Sequence, residues 1–334
     1  MKSASRIIAL ALTLALAAPH PVLAYLKFGV RVGRQSVTLK WAQTPVRYFV
    51  SSRNSVPGVG TGDFEAAVAR AFATWQAVPT SAISYEYGGR TNASPGEDDG
   101  SSTLGFESHP ELDRVLASTS FLVDQTDGTL LESDIFFNAG FPWSVAPAGQ
   151  TGQFDVESIA LHEIGHFSGL GHSALGETEL REGGGRRVLS AGAVMFPIAF
   201  APGSIASRTL RADDIAGISD LYPDGTFRDR GSLSGRVTKG GTPLFGAHVI
   251  AFDPATRELI AGFTLNSQGE FSIGGLSPGP KVVRVEPLDD ADTDSFFDSS
   301  QTVDIDFRVM FFSRLVVVPR AGDSGRIEVA VTPK

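Results

Sequence analysis

Apolar positions in the first half of the chain switch between a period of two and a period near 3.6. Pro45-Val46-Arg47-Tyr48-Phe49-Val50 alternates like a strand. The Gly/Ser/Pro-rich stretch from Ser51 to Gly62 reads as a loop. Phe64, Val68, Ala71, Phe72 and Trp75 then recur at helical spacing, and Asp63 stands where an N-cap would. Further strands are predicted at Ile83–Tyr87, Thr103–Phe106, Val115–Phe121 and Ser133–Asn138. Between the second and third lies a polar loop, Gly88 to Ser101, holding Glu97, Asp98 and Asp99.

A second helix starts at Asp155, which serves as N-cap. Phe154 before it and Ile159 after it are placed for a hydrophobic staple. Val156, Ile159, Ala160 and Ile164 give this helix one apolar face. A third helix begins at Asp213 and Asp214, whose charges suit a helix N-terminus. Between the last two helices, residues 174–194 read as a solvated loop with Gly183-Gly184-Gly185 in it.

The pattern changes after Tyr222. Residues 223–231 form a polar, Gly-containing linker. Beyond it come short alternating runs, among them Leu233–Val237, Ala247–Phe252, Ile260–Thr264, Gly269–Ile273 and Lys281–Val285, split by Gly, Pro and Asp turns. That spacing predicts a β-sandwich over residues 232–334. His248 sits on one of these strands and reads as packed. Asp289 to Asp306 is acid-rich and reads as a solvated loop. The whole chain is therefore of α+β class, with a mixed α+β unit followed by an all-β one.

The helix after Asp155 carries the chemistry. It contains His162-Glu163-Ile164-Gly165-His166, continued as Phe167-Ser168-Gly169-Leu170-Gly171-His172. Residues four apart share a helix face, so His162 and His166 can point at one ion. Gly169 can take positive φ and end the helix, letting His172 return as a third ligand. Three imidazoles and one open position describe a catalytic zinc site, whereas structural zinc is usually closed by four protein ligands. Glu163 lies beside the first ligand, within reach of a water on the ion. Chance matching of five such fixed positions over the whole chain is on the order of 10^-5 at ordinary composition.

Composition narrows the context. The chain has 334 residues, 42% hydrophobic and 19% charged, enough for two cored domains. The net charge of -9 argues against nucleic acid and anionic membrane as partners. There is no cysteine, which excludes disulfides, thiolate ligands and a cysteine nucleophile. Residues 1–24 read as a secretory signal. Lys2 and Arg6 precede a short apolar run, Ile7 to Ala18, and Val22-Leu23-Ala24 offers small residues before cleavage. No later apolar run is long enough to span a membrane. The mature chain is thus expected to be secreted and to start near Tyr25.

The extended histidine motif resembles the metzincin metallopeptidases, and Ala193-Val194-Met195-Phe196-Pro197 resembles their methionine turn. Ser173 after His172, and the segment Leu210–Tyr222, are similar to the matrixins within that group. The resemblance covers roughly Lys40 to Tyr222. It implies a catalytic domain over 25–222 with a twisted mixed five-stranded sheet and three helices. It implies one catalytic zinc on His162, His166 and His172, with Glu163 as general base and acid and Met195 structural. One of Asp213 and Asp214 would hold the methionine turn. Peptide or protein substrate would pair with the edge strand near Val115–Phe121, and Pro197 to Ser207 would wall the specificity pocket. The acids at Glu97, Asp98 and Asp99 make calcium a further ion this loop could hold. Matrixins often carry a histidine at the place of Ser118 for a second zinc, and none stands there. The cysteine that keeps many matrixins latent is absent. Gly235 to Val285 resembles the transthyretin-like regulatory domain of carboxypeptidases and implies a non-catalytic module for surface or substrate binding. The rival reading is a secreted adhesion or binding protein with an inactive peptidase domain. An intact Glu163 argues against it, since pure binding has no need of that carboxylate.

Overall fold

The computed structural model describes residues 26–32, 35–182, 184–297 and 301–334. The signal reading of residues 1–24 lies outside them. The first unit is built on a five-stranded sheet. Its strands are β1 (Val46–Ser51), β2 (Tyr85–Thr91), β3 (Thr103–Glu107), β4 (Ala117–Val123) and β5 (Leu130–Asn138). Their order across the sheet is β2-β1-β3-β5-β4. β1 runs parallel to β2 and β3, and β3 parallel to β5, while β4 is antiparallel to β5 and forms one edge. The sheet is mixed and five-stranded, as expected, with strand ends displaced by a few residues.

Two helices cover the sheet. Helix α1 (Thr61–Gln76) buries Phe64, Ala67, Val68, Ala71, Phe72 and Trp75, the stripe visible in the sequence. Its N-cap is Gly60, so Asp63 falls inside the first turn, where its charge meets the helix dipole without capping. Helix α2 (Val156–Phe167) is capped by Asp155, whose carboxylate accepts from the Ser158 N–H at 2.9 Å. Trp75 is fully buried, and its indole N–H donates to the Leu161 carbonyl at 2.8 Å. That bond locks α1 to α2 while satisfying the indole's one polar atom. Helix α3 (Ala212–Leu221) closes the unit.

The stretch after α2 is more ordered than a solvated loop. It forms a hairpin of β6 (Gly176–Leu180) and β7 (Arg186–Ala191). Alternation here is weak because the hairpin has no deep face, so the periodic signal is faint.

Residues 231–331 form two further sheets. In one, β8 (Gly231–Lys239) pairs antiparallel with β11 (Glu270–Leu276) and parallel with β14 (Asp323–Val331). In the other, β9 (His248–Phe252) lies between β10 (Leu259–Phe263) and β12 (Gly279–Glu286), and β13 (Val316–Val318) pairs with β12. Leu233, Val237, Val249, Phe271, Ile273, Val283 and Val285 fill one core between them, separate from the core of the first unit. His248 is buried as expected and bonds Glu286 at 3.0 Å.

The acid-rich stretch after β12 departs from its solvated reading. Leu288, Ala291, Phe296 and Phe297 are buried in a cluster with Leu26, Ala174, Phe196 and Phe263. Four apolar side chains scattered among acids are enough to dock this turn on the first unit.

One buried carboxylate gives a pH test of the sheet. Asp134 on β5 accepts the N–H groups of Thr103 and Gly96, each at 2.7 Å. Burial nevertheless pushes it up to about 7, above its ordinary 3.8. The folded state therefore holds this proton more tightly than the unfolded chain. The stability it contributes is complete below pH ~4 and is lost as pH rises through ~7. Asp134→Asn should flatten that fall: its urea midpoint should change less than the native one between about pH 5 and about pH 8. Equal changes in both proteins would show that Asp134 does not titrate in that window.

Candidate metal centre

Helix α2 brings His162 and His166 to one face, and the end of the helix is engineered by the sequence that follows. Gly169 has φ +100°, a left-handed conformation, and a Cβ there would stand 2.4 Å from the Leu39 carbonyl. With Gly169 in that shape, the Leu170 N–H reaches back to the Gly165 carbonyl at 3.0 Å and the Gly169 N–H to His166 at 2.7 Å. This is a Schellman closure. The next two carbonyls have side-chain donors: Trp41 Nε1 donates to Phe167 at 2.8 Å and the Tyr222 hydroxyl to Ser168 at 2.7 Å. Every carbonyl at this buried helix end thus has a partner, which holds the turn leading to His172 in one shape. The segment Leu26–Phe28 backs the same turn: Phe28 N–H donates to Gly169, and Gly171 N–H donates to Leu26. Lys27 adds an ion pair with Asp220 of α3.

The turn brings His172 to the other two. His162, His166 and His172 each offer a nitrogen within 4.8 Å of the others, and among the described residues they are the one such group of three or more metal-ligating side chains. Their Nδ1 atoms all face main-chain carbonyls. His162 faces Val194 at 2.8 Å, His166 faces Leu170 at 2.8 Å, and His172 faces Ser295 at 2.7 Å. A carbonyl only accepts, so each Nδ1 carries a proton, and in the neutral ring this leaves the lone pair on Nε2. Burial together with the neighbouring His162 holds His166 far below the usual imidazole range, and His172 down to about 3. Both rings are therefore neutral. Yet His166 Nε2 and His172 Nε2 stand 3.2 Å apart with no proton between them. Two lone pairs at that distance repel unless a cation lies between. Ligand nitrogens on a tetrahedral zinc at 2.0–2.1 Å are about 3.3 Å apart, so the donor set fits zinc.

Glu163 points elsewhere. It is buried, and its Oε2 accepts from Thr119 Oγ1 at 2.6 Å. Burial raises its pKa, while His162 and the Thr119 bond pull the other way. Thr119 lies on β4, the sheet edge beside the site, and was not singled out in the sequence. Its signal was faint but present: in the pattern of Ala117–Val123 it is an inward polar position, and a buried hydroxyl needs a partner.

Met195 is buried in the core of the first unit and packs against α2 at Gly165. The Asp214 carboxylate accepts the N–H groups of Val194 at 2.9 Å and Met195 at 3.1 Å, which fixes the Val194 carbonyl toward His162. Asp214 is thus the residue holding the methionine turn. Asp213 instead accepts from Ser173 Oγ at 2.7 Å and from the Ala261 N–H of the C-terminal unit at 2.8 Å. Arg208 grips the N-cap Asp155 at 2.6 Å and the Ala146 and Pro147 carbonyls, tying the segment after Pro197 to the start of α2. Of the acids named as a calcium option, Glu97 pairs with Arg53 and Asp99 accepts from Ser101 N–H.

Residues 40–181 match the matrixin family model. Matrix metalloproteinase-16 of Rattus norvegicus and that of Homo sapiens are each 30% identical over 151 residues, covering 44% of this chain and 24% of the relative. Metalloendoproteinase 1 of Glycine max is 32% identical over 176 residues, covering 48% of this chain and 45% of that protein. The chain thus spans about a quarter of the length of the first and under half of the second. Residues 40–181 of the first unit are thus similar to a matrixin domain, a family that depends on zinc, and the likeness to metalloendopeptidases points to proteolysis only at the level of that domain family. The match includes the helix with His162, Glu163 and His166 and stops short of Met195.

Gly165, also passed over in the sequence, provides a test of this packing. A Cβ there would meet Met195 Sδ at 2.2 Å and Trp75 Cζ2 at 3.0 Å. Helix propensity favours Gly165→Ala by about 1 kcal/mol. Overpacking against two buried side chains costs about 1–3 kcal/mol. Packing should win, so the variant should unfold at lower urea. A gain in stability would mean that Met195 yields freely and does not press on the ligand helix.

Proposed function

We propose that this protein is a secreted zinc-dependent endopeptidase. In this reading residues 1–24 are the signal, 25–222 the peptidase domain, 223–231 a linker, and 232–334 a β-sandwich of the carboxypeptidase regulatory-like, transthyretin-like kind. The observation that carries the reading is the set of three imidazoles whose protons are all tied to carbonyls, leaving three lone pairs facing one point.

Zinc in that place supplies Lewis acidity, activating a water and polarising the scissile carbonyl. The rest is done by the chain. Glu163 takes the proton of the attacking water and hands it to the leaving amine. Its raised pKa makes it a better base than an exposed carboxylate, and the Thr119 bond keeps the ionised form accessible. An extended peptide lies along the open edge of β4 and pairs with its main chain. Thr119 then links the strand that holds substrate to the group that moves the proton.

The test pairs zinc content with peptide cleavage. Glu163→Ala should keep its zinc and lose about 10^2 to 10^4-fold in rate, since it removes the base and no ligand. His172→Ala should lose the metal itself. Cleavage by Glu163→Ala at the native rate would remove Glu163 from the chemistry. A zinc-loaded native protein that cleaves nothing in a broad peptide library would instead support a binding protein with an inactive peptidase domain.

A further inference from the structure

The third ligand differs from the other two in where its support comes from. The carbonyls behind His162 and His166 belong to Val194 and Leu170, both within the first unit. The carbonyl behind His172 belongs to Ser295, 123 positions later, on the turn that follows β12. We propose that this turn, residues 288–297 of the C-terminal unit, is part of the metal centre, and that the Ser295 carbonyl is the positioning group for His172. The C-terminal unit then governs how tightly the centre keeps its metal. This rests on the reading of the triad as a zinc site and goes beyond it, because the sequence pattern assigns that unit no part in the site.

The turn is built to hold a fixed carbonyl. Ser295 N–H donates to Asp292, and the N–H groups of Phe296 and Phe297 both donate to Thr293. Phe296 and Phe297 are buried against Phe263 of β10, with ring centroids 5.8 and 5.4 Å away. Phe296 also meets the His172 ring edge-on, with centroids 6.4 Å apart. On the outer side the β6–β7 hairpin clasps the turn: Thr178 N–H donates to Asp290 Oδ1 at 2.8 Å, Thr178 Oγ1 to the Asp290 carbonyl at 2.7 Å, and Arg186 to the Asp289 carbonyl at 2.7 Å. A third tie runs through Asp213, which joins Ser173, next to the ligand, to the Ala261 N–H of β10.

These contacts have a specific consequence for ligation. His172 follows a turn, without a helix to fix its ring. Without Ser295, its buried Nδ1–H would lack an acceptor. The proton could then move to Nε2, which removes the lone pair the metal needs. Outer partners of ligating histidines are typically worth 10–100-fold in metal affinity.

The experiment uses the full chain and zinc as the probe. Zinc affinity is measured by competition with a chelator, and the His172 Nδ1–H is followed by NMR of the zinc-loaded protein labelled with 15N-histidine. Phe296→Ala should weaken zinc about 10–100-fold and speed solvent exchange of that N–H. Phe296→Leu, which keeps the apolar anchor, should restore most of both. Val329→Ala, in the other core of the same unit, should lower stability and leave both readouts unchanged. If Phe296→Ala does not fold, Asp290→Ala, which cuts one bond of the clasp, should shift both readouts in the same direction by less. Native zinc affinity and native exchange in the folded Phe296 or Asp290 variant would overturn the proposal, as would an equal loss in Val329→Ala. A native chain that binds no zinc would overturn the zinc reading itself, which separates the two failures.

Discussion

Each imidazole of the triad gives its Nδ1 proton to a main-chain carbonyl, at 2.7 to 2.8 Å. That constraint decides the tautomer, the ring direction and the placement of three lone pairs together. The three carbonyls come from three separate devices: the methionine turn, the Schellman closure of α2, and the turn after β12. Each device has its own support. Asp214 holds the first through two N–H groups, Gly169 permits the second, and buried Phe296 and Phe297 seat the third. The centre is an agreement between elements far apart in sequence, with a single helix supplying two of the ligands.

The rest of the first unit serves that helix. Trp75 ties it to α1, Asp155 caps its start, and Arg208 grips the cap. Its inner side packs into the sheet, while Thr119 reaches from the edge strand to Glu163. A rigid backing matters because polar groups are buried here without a surplus of partners. Two nitrogen lone pairs facing each other at 3.2 Å are tolerable when something positive sits between them.

The legible and illegible parts of the sequence divide along the range of the interactions. Most strands and helices of the first unit were readable from local pattern, clearest in the apolar stripe of α1 and the alternation of β4, while their arrangement in one mixed sheet was implied by the resemblance. His162, His166, His172, Glu163 and Gly169 were readable because their relations span eleven residues of continuous chain. Met195 was readable as part of a short motif. Thr119 was not, because its partner lies 44 positions away and a strand threonine is ordinary. Gly165 looked like a weak helix residue until Met195 and Trp75 closed on it. The acidic character of 289–306 concealed three buried apolar anchors, Ala291, Phe296 and Phe297, and nothing local announces that the carbonyl of Ser295 would meet a histidine. Gly60 took the cap assigned to Asp63 because cap geometry depends on where the chain enters the helix.

The central claim is that three nitrogens from these three histidines, and no other protein side chain, surround one zinc. X-ray absorption at the zinc edge of the fully loaded chain measures that directly. The account predicts three imidazole nitrogens at about 2.0–2.1 Å and one further oxygen donor, with the multiple-scattering signature of three rings. A shell with only two imidazoles, or with two or more carboxylate oxygens, would contradict it.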